Sequence, residues 1–309
     1  MKILIELPTW LGDAIMTTPA IENLANFQNE VEITLIGSFI SIEALKNHPK
    51  VVKTLVLDTK YSSLVKISRE LGSFDAFFSF RSSFRAKFLK LLISANNKHQ
   101  FKKSKYPNRH QVEKYNDFVN YSLNTNFPTG KLVLHTNLKL IIQHSKLTLG
   151  LNPGASYGSA KRWYPEEFAQ VAAELSEKYD IVIIGSPDEA NIANDIEKLL
   201  IEKSVTNYQN LAGKTTIPQL INQISSLDLF ITGDSGPMHI AAAFHVPTVA
   251  IFGPTRDDET SQWMNEKSII VKKDLDCQPC MQRICPLQHH NCMKLINAVK
   301  VLGAVNKIV

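Results

Sequence analysis

The chain predicts an α/β fold of two Rossmann-like domains, each built on a mostly parallel, doubly wound sheet, the two facing across a cleft. Three observations carry this. Short apolar runs alternate with helix-periodic amphipathic stretches through both halves of the 309 residues. The alternation pauses over 124–146 and restarts at Leu147, which divides the chain into domains 1–146 and 147–309, each large enough for its own core. The runs end in small-residue turns, at the strand ends where open α/β sheets seat their ligands.

In the first half, Lys2–Leu7 reads as a strand and Pro8–Asp13 as the turn leaving it. Ile15, Ala20, Ile21, Leu24 and Phe27 recur at near-helical spacing behind that turn. Val31–Gly37, Val51–Leu57 and Ala76–Phe80 read as further strands, with helices over Phe39–Leu45 and Leu64–Leu71 between them and one over Gln111–Leu123 after the last. The opening turn has one glycine where a dinucleotide fingerprint needs three, so that class is excluded.

In the second half, Leu147–Leu151 reads as a strand and Asn152–Trp163 as a loop rich in glycine and serine. A helix from Pro165 to Lys178, a strand over Asp180–Ile184 ending at Asp188 and Glu189, and a helix to about Glu202 follow. The stretch Leu229–Pro254, LFITGDSGPMHIAAAFHVPTVAIFGP, then reads as strand, turn, a helix opening at Pro237, and strand. Proline suits a first helical turn, and the open amide groups and positive dipole end of such a helix seat a diphosphate.

Charge is unevenly shared. Residues 1–146 carry 20 lysines and arginines against 11 acids, and 147–309 carry 14 against 18. Between Arg81 and Arg109 there are nine basic residues and no acid, which reads either as a solvated face or as the meeting place for an acidic partner. No nucleic-acid-binding motif accompanies the run, so no nucleic acid partner is expected. No apolar run approaches the length of a membrane span, and the start MKILIELPTW enters a strand directly, so the expectation is a cytoplasmic protein.

Asp13 is the first candidate for chemistry. A carboxylate at the start of the first helix can take a proton from a hydroxyl, but it can equally cap that helix for about 1 kcal/mol. The helix end also stabilises its charge, which weakens it as a base. Lys161 follows the Asn152 loop, in a spacing that is not a P-loop, and reads as a phosphate contact or a solvated lysine. Asp234, Ser235 and Gly236 end another strand of the same sheet and can address the same diphosphate. Asp188 and Glu189 can accept from ribose hydroxyls or cap a helix. Trp163 and His239 read as core residues. Cys277, Cys280, Cys285 and Cys292 are compact enough for a structural metal, but only their first pair has a standard spacing. Reduced thiols, a metal and a disulfide all stay open.

Taken together, PTWLGDAIMTTPAIENL, NPGASYGSAKRWYPEEFAQVA and DLFITGDSGPMHIAAAFHVPTVAIFGPT resemble the motifs of bacterial glycosyltransferase family nine, the lipopolysaccharide heptosyltransferases. The resemblance spans both halves in order. It implies a GT-B fold with the acceptor on domain 1–146 and the donor on 147–309. It implies an inverting transfer of heptose from ADP-L-glycero-β-D-manno-heptose to the Kdo–lipid A inner core, with no cofactor or metal required. Asp13 is implied as general base, Lys161, Asp234, Ser235 and Gly236 as diphosphate contacts, and Glu189, with Asp188, as the acidic residue by the ribose. The basic segment, in particular Arg81, Arg85, Lys102 and Lys103, then has the anionic acceptor as its partner, and the enzyme works peripherally at the inner membrane. A GT-B epimerase, a transferase using a UDP-sugar and a non-enzymatic sugar-nucleotide sensor are the competing readings.

Overall fold

The computed structural model describes residues 1–58, 60–136 and 146–309. They belong to two compact units, Met1–Asn137 and Leu138–Val309. In the first unit β1 (Lys2–Glu6), β2 (Glu32–Gly37), β3 (Val51–Val56), β4 (Ser73–Ser79) and β5 (Ser94–Gln100) form one parallel sheet in the order β3-β2-β1-β4-β5. β1, β2 and β4 are central and covered on both faces, which is why their sequences run nearly continuously apolar.

The helix expected behind the opening turn is two helices, Leu11–Met16 and Thr18–Ala25. Pro19 has no N–H for the Ile15 carbonyl, and the Thr18 hydroxyl takes that carbonyl instead at 2.8 Å. The basic run is not one helix face. It comprises helix Phe84–Leu92, the strand β5 and a short turn, Lys103–Lys105. β5, SANNKHQ, lies at the sheet edge and is half exposed, so it lacks the apolar run that marks a buried strand.

Part of the expected connection belongs to the first unit. Leu132 and Leu134 are buried, the Val133 amide donates to Thr18 Oγ1 at 3.0 Å, and Asn23 Nδ2 donates to the Pro128 carbonyl at 3.1 Å. These bonds lace the irregular segment around residues 128–133 onto helix Thr18–Ala25. The rest of that connection, 137–145, lies outside the described residues.

In the second unit β6 (Leu147–Asn152), β7 (Tyr179–Ile183), β8 (Tyr208–Asn210), β9 (Leu229–Gly233), β10 (Thr248–Ile251) and β11 (Ser268–Val271) pair in parallel, in the order β11-β10-β9-β6-β7-β8. β11 was not marked in the sequence. Leu149, Leu151, Ile181, Ile183, Leu229, Ile231, Val249 and Ile251 supply the central layer of its core. Trp163 is buried there as expected, its indole N–H donating to the Ile296 carbonyl at 2.8 Å. Helix Pro165–Leu175 ends three residues short of Lys178. Among the described residues no helix is long and apolar enough to cross a membrane.

Candidate functional site

Each sheet reverses its strand order once, between β1 and β4 in the first unit and between β6 and β9 in the second. At such a point the loops leaving the two neighbouring strands diverge to opposite faces and open a crevice at the carboxyl ends. The expected site residues follow these strands.

In the second unit the loop after β6 carries Lys161 and the turn after β9 carries Asp234–Gly236. The structure brings them together: Lys161 Nζ lies 2.5 Å from Asp234 Oδ2 and 3.2 Å from the Asp234 carbonyl. Both side chains are largely buried, at 12% and 6% exposure, so the pair is held away from solvent screening. Thr255, after β10, donates its hydroxyl to the same Asp234 oxygen at 2.6 Å. The ammonium also lies over the Tyr157 ring at 4.8 Å. Ser235 is the extended residue before helix Gly236–Ala243, and its hydroxyl accepts from Asn152 Nδ2 at 2.9 Å. Gly236 opens that helix, with Pro237 in its first turn as anticipated.

Glu189 and Asp188 lie in a 3-10 turn just beyond β7, and the structure separates them. Asp188 is exposed, whereas Glu189 is buried and accepts from the Ser186 amide at 2.8 Å. The Glu189 carboxylate presses on Gly154 of the lysine loop, and a Cβ there would overlap it. Glu189 is thus bonded within its own turn and packed against the loop that leaves the neighbouring strand β6.

In the first unit Asp13 is at the third position of helix Leu11–Met16, while Trp10 occupies the cap position without a side-chain bond. The capping role considered for Asp13 therefore falls away. Burial, and after it the charge of Asp13, holds the Tyr115 phenol well above its ordinary range, so the carboxylate lies within electrostatic reach of that hydroxyl. At the same carboxyl edge, Glu6 ends β1 and faces Ser79 of β4 in register. Its side chain is 0% exposed, Oε2 accepts from Ser79 Oγ at 2.5 Å, and Arg81 Nη1 stands 3.7 Å from Oε1. Burial raises the Glu6 pKa against the lowering effects of Ser79, Arg81 and Arg85. Arg85 donates to the Asp58 carbonyl. Lys102 and Lys103 are exposed just past β5, and Gln100 of that strand donates to the Arg81 carbonyl at 3.2 Å. Asp13, Arg81 and Lys102 thus follow three adjacent strands at one edge.

Among the described residues one group brings metal-ligating atoms together. Glu22 Oε1 lies 3.2 Å from His48 Nε2 and 3.0 Å from His135 Nε2. His48 Nδ1, however, accepts from the Lys50 amide at 3.1 Å, so neutral His48 carries its proton on Nε2, the nitrogen that faces the Glu22 carboxylate at 3.2 Å. That trio is a hydrogen-bonded cluster. The four cysteines are free thiols. Burial and the nearby Cys280, Cys285 and Cys277 push the Cys292 thiol up to about 11. His239 is buried, as a core histidine should be.

Sequence reasoning missed Glu6, Asn152, Tyr157 and Thr255. Three had a signal: Glu6 is a charge inside an apolar strand, and Asn152 and Thr255 are polar residues at the carboxyl ends of strands flanking the turn already chosen.

The chain matches glycosyltransferase family 9 (heptosyltransferase) over residues 77–291. It is 43% identical over 310 residues to the lipooligosaccharide heptosyltransferase 2 of Campylobacter jejuni serotype O:2, covering 98% of this chain and 96% of that protein. It is also 36% identical over 123 residues to the lipopolysaccharide heptosyltransferase 2 of Escherichia coli K12, covering 40% of this chain and 35% of the relative. The solved structure of the E. coli ADP-heptose LPS heptosyltransferase II superposes with a TM-score of 0.82 at 22% identity, covering 100% of this chain and 98% of that one. E. coli heptosyltransferase WaaC with ADP gives 0.78 at 14% identity over the whole of both chains.

Proposed function

This chain belongs to glycosyltransferase family 9, and from that premise we propose that it moves heptose from ADP-L-glycero-β-D-manno-heptose to the inner-core heptose of lipopolysaccharide, the reaction of a heptosyltransferase II. It is a glycosyltransferase with two parallel α/β sheets, the GT-B fold. The observation that carries the donor reading is the caged lysine: Lys161 and Asp234 leave the two strands that flank the order reversal of the second sheet, beside the amino end of a helix.

Departure of ADP builds negative charge on a phosphate oxygen. Lys161 and the amides at the start of helix Gly236–Ala243 oppose that charge from fixed positions, so little reorganisation is required. A carboxylate repels a diphosphate, so we assign Asp234 to holding Lys161 and Thr255, and Ser235 and Gly236 to the phosphates. Glu189 accepts from the ribose, with exposed Asp188 at its rim. Asp13 takes the acceptor proton as the anomeric carbon gains oxocarbenium character and its configuration inverts. Arg81, Arg85, Lys102 and Lys103 meet the carboxylates and phosphates of a heptosyl-Kdo-lipid A acceptor. Such a lipid-borne acceptor puts the enzyme peripherally at the cytoplasmic face of the inner membrane. No metal is needed for this chemistry, because lysine and backbone amides supply the countercharge.

The test is transfer of labelled heptose to heptosyl-Kdo-lipid A, with Asp13→Asn beside the wild type. The expected outcome is product with the wild type and a kcat lower by about 100-fold to 10,000-fold in the variant, with donor binding unchanged. Equal rates for the two proteins sink the base assignment. Transfer only to Kdo-lipid A lacking the first heptose, or calorimetric binding of UDP in preference to ADP, sinks the substrate assignment.

A further inference from the structure

Helix Phe84–Leu92 is apolar on two opposite sides. Ala86 and Leu89 point inward and are fully buried. Phe84 and Leu91, seven residues and so two turns apart on one face, stand in solvent at 78% and 73% exposure. Phe88 lies between them, partly buried, one turn from each. Tyr61, half exposed at the start of helix Tyr61–Glu70, packs its ring on Phe88 with the centroids 5.5 Å apart. The four side chains make one row across two helices. A surface helix of a globular protein ordinarily turns a polar face outward, and this one does not.

The two helices cover the same face of the first sheet, since Leu64 of one and Leu89 of the other share a core cluster with Phe74 and Phe77. The Arg85 bond to the Asp58 carbonyl ties the start of one helix to the residues ahead of the other. Together the helices carry five basic residues, Lys66, Arg69, Arg85, Lys87 and Lys90, against one acid, Glu70. Lys66, Arg69 and Lys87 are exposed. Apolar side chains set among cations match a lipid layer with anionic headgroups.

The position of Lys87 separates a lipid from a protein partner. It stands within the row, three residues after Phe84 and four before Leu91. The centres of protein interfaces are depleted in lysine, because its charge loses water there without recovering an equal contact. At a bilayer the four-carbon stem lies along hydrocarbon while the ammonium reaches the phosphate layer.

We propose that the outer face of helices Tyr61–Glu70 and Phe84–Leu92 docks on an anionic lipid bilayer, with Tyr61, Phe84, Phe88 and Leu91 in the interface and Lys66, Arg69 and Lys87 on its headgroups. Arg85, assigned above to the acceptor, belongs to the same helix, so docking brings a lipid-borne anion to it while the lipid stays in the membrane. The proposal rests on the peripheral location assigned above and names the surface that produces it. It does not depend on which sugar is moved.

The test sediments the full chain with vesicles of phosphatidylethanolamine and phosphatidylglycerol, about three to one and free of lipopolysaccharide, beside vesicles of phosphatidylcholine alone. The wild type is expected to bind the anionic vesicles at least about tenfold more strongly, and to be released as salt rises toward ~1 M. Phe84→Ser/Leu91→Ser removes the apolar contact and should weaken binding about tenfold or more. Lys66→Ser/Lys87→Ser should weaken it by a comparable factor, on the anionic vesicles alone. All four side chains are exposed, so both variants should keep the wild-type melting curve and the wild-type kcat/KM on a water-soluble acceptor without acyl chains. Vesicle binding that follows this pattern in a protein inactive toward every heptosyl acceptor supports the surface while removing the substrate assigned above. Failure of the wild type to sediment, equal sedimentation of all three proteins, or equal binding to neutral lipid overturns the proposal. So does a dimer seen by light scattering that Phe84→Ser/Leu91→Ser dissolves, because a second copy would then cover the row. Should the apolar variant not fold, the lysine variant and the salt dependence decide the matter alone.

Discussion

The Lys161 ammonium and the Asp234 carboxylate are joined at 2.5 Å although 73 residues separate them, and neither is open to bulk water. A diphosphate at this site must share the ammonium with a carboxylate already bound to it. Lys161→Ala leaves that carboxylate buried with Thr255 alone, so it is expected to cost about 3 kcal/mol of stability and about 100-fold in kcat/KM. Lys161→Met/Asp234→Leu removes both charges together and is expected to recover most of the stability and none of the activity. Urea unfolding and the transfer assay on the same preparations check both; a double variant as unstable as Lys161→Ala contradicts the argument.

Gly154 and Glu189 make a second testable pair. Alanine at 154 has no room beside the Glu189 carboxylate, which must leave its bond with the Ser186 amide. Gly154→Ala is expected to cost about 2 kcal/mol and to weaken ADP binding. Adding Glu189→Ala should restore the stability but not the affinity, as read by calorimetry. Restored affinity would show that Glu189 does not serve the ribose.

How far the site could be read from the sequence follows from where each residue sits. β1, β6 and β9 are central parallel strands, and such strands announce themselves as apolar runs. The turns behind them, and with them Asp13, Lys161 and Asp234, were legible for that reason. β5 was not, because an edge strand exposes half its residues. The break at Thr17 was hidden, since the apolar spacing continues across it and only Pro19 betrays it. Asp234 was visible as a residue, but its pairing with Lys161 spans β6 to β9, and no local pattern records a contact across that distance.

Glu6 offers a pH test. Its pKa is raised by burial. A carboxyl group whose folded value lies above its unfolded value contributes stability that is fully present below the unfolded value and is lost as pH rises through the folded one. Glu6→Gln is therefore expected to be more stable than the wild type at pH 8, by about 1 kcal/mol, with the gain shrinking toward pH 4. Urea midpoints at the two pH values measure it. The same variant, having lost the countercharge that competes for Arg81, should show a lower acceptor KM with kcat little changed.

Glu22 behaves in the opposite sense. The His48 hydrogen bond, more than that of His135, lowers its pKa below the ordinary 4.5 despite partial burial. Its contribution is present above the unfolded value and disappears as pH falls through the folded one. Glu22→Gln is expected to lower Tm by roughly 3 °C at neutral pH, with the two melting curves converging below about pH 4. Persistent separation in acid would mean the carboxylate's charge is irrelevant there.

The backbone contact of Gly158 with Arg283 constrains how the enzyme can be remade. A Cβ at 158 would overlap the Arg283 carbonyl, which accepts from the Ala160 amide at 3.0 Å. The loop that carries Lys161 and the late segment around Arg283 are cut to fit one another across more than a hundred positions of chain, so neither can be exchanged with a homologue's version by itself. A chimera joined between Thr255 and Cys277 pairs one parent's loop with the other's late segment and should fold poorly. One that transplants both pieces together keeps the match, and that is where swapping of nucleotide-sugar preference has room to succeed.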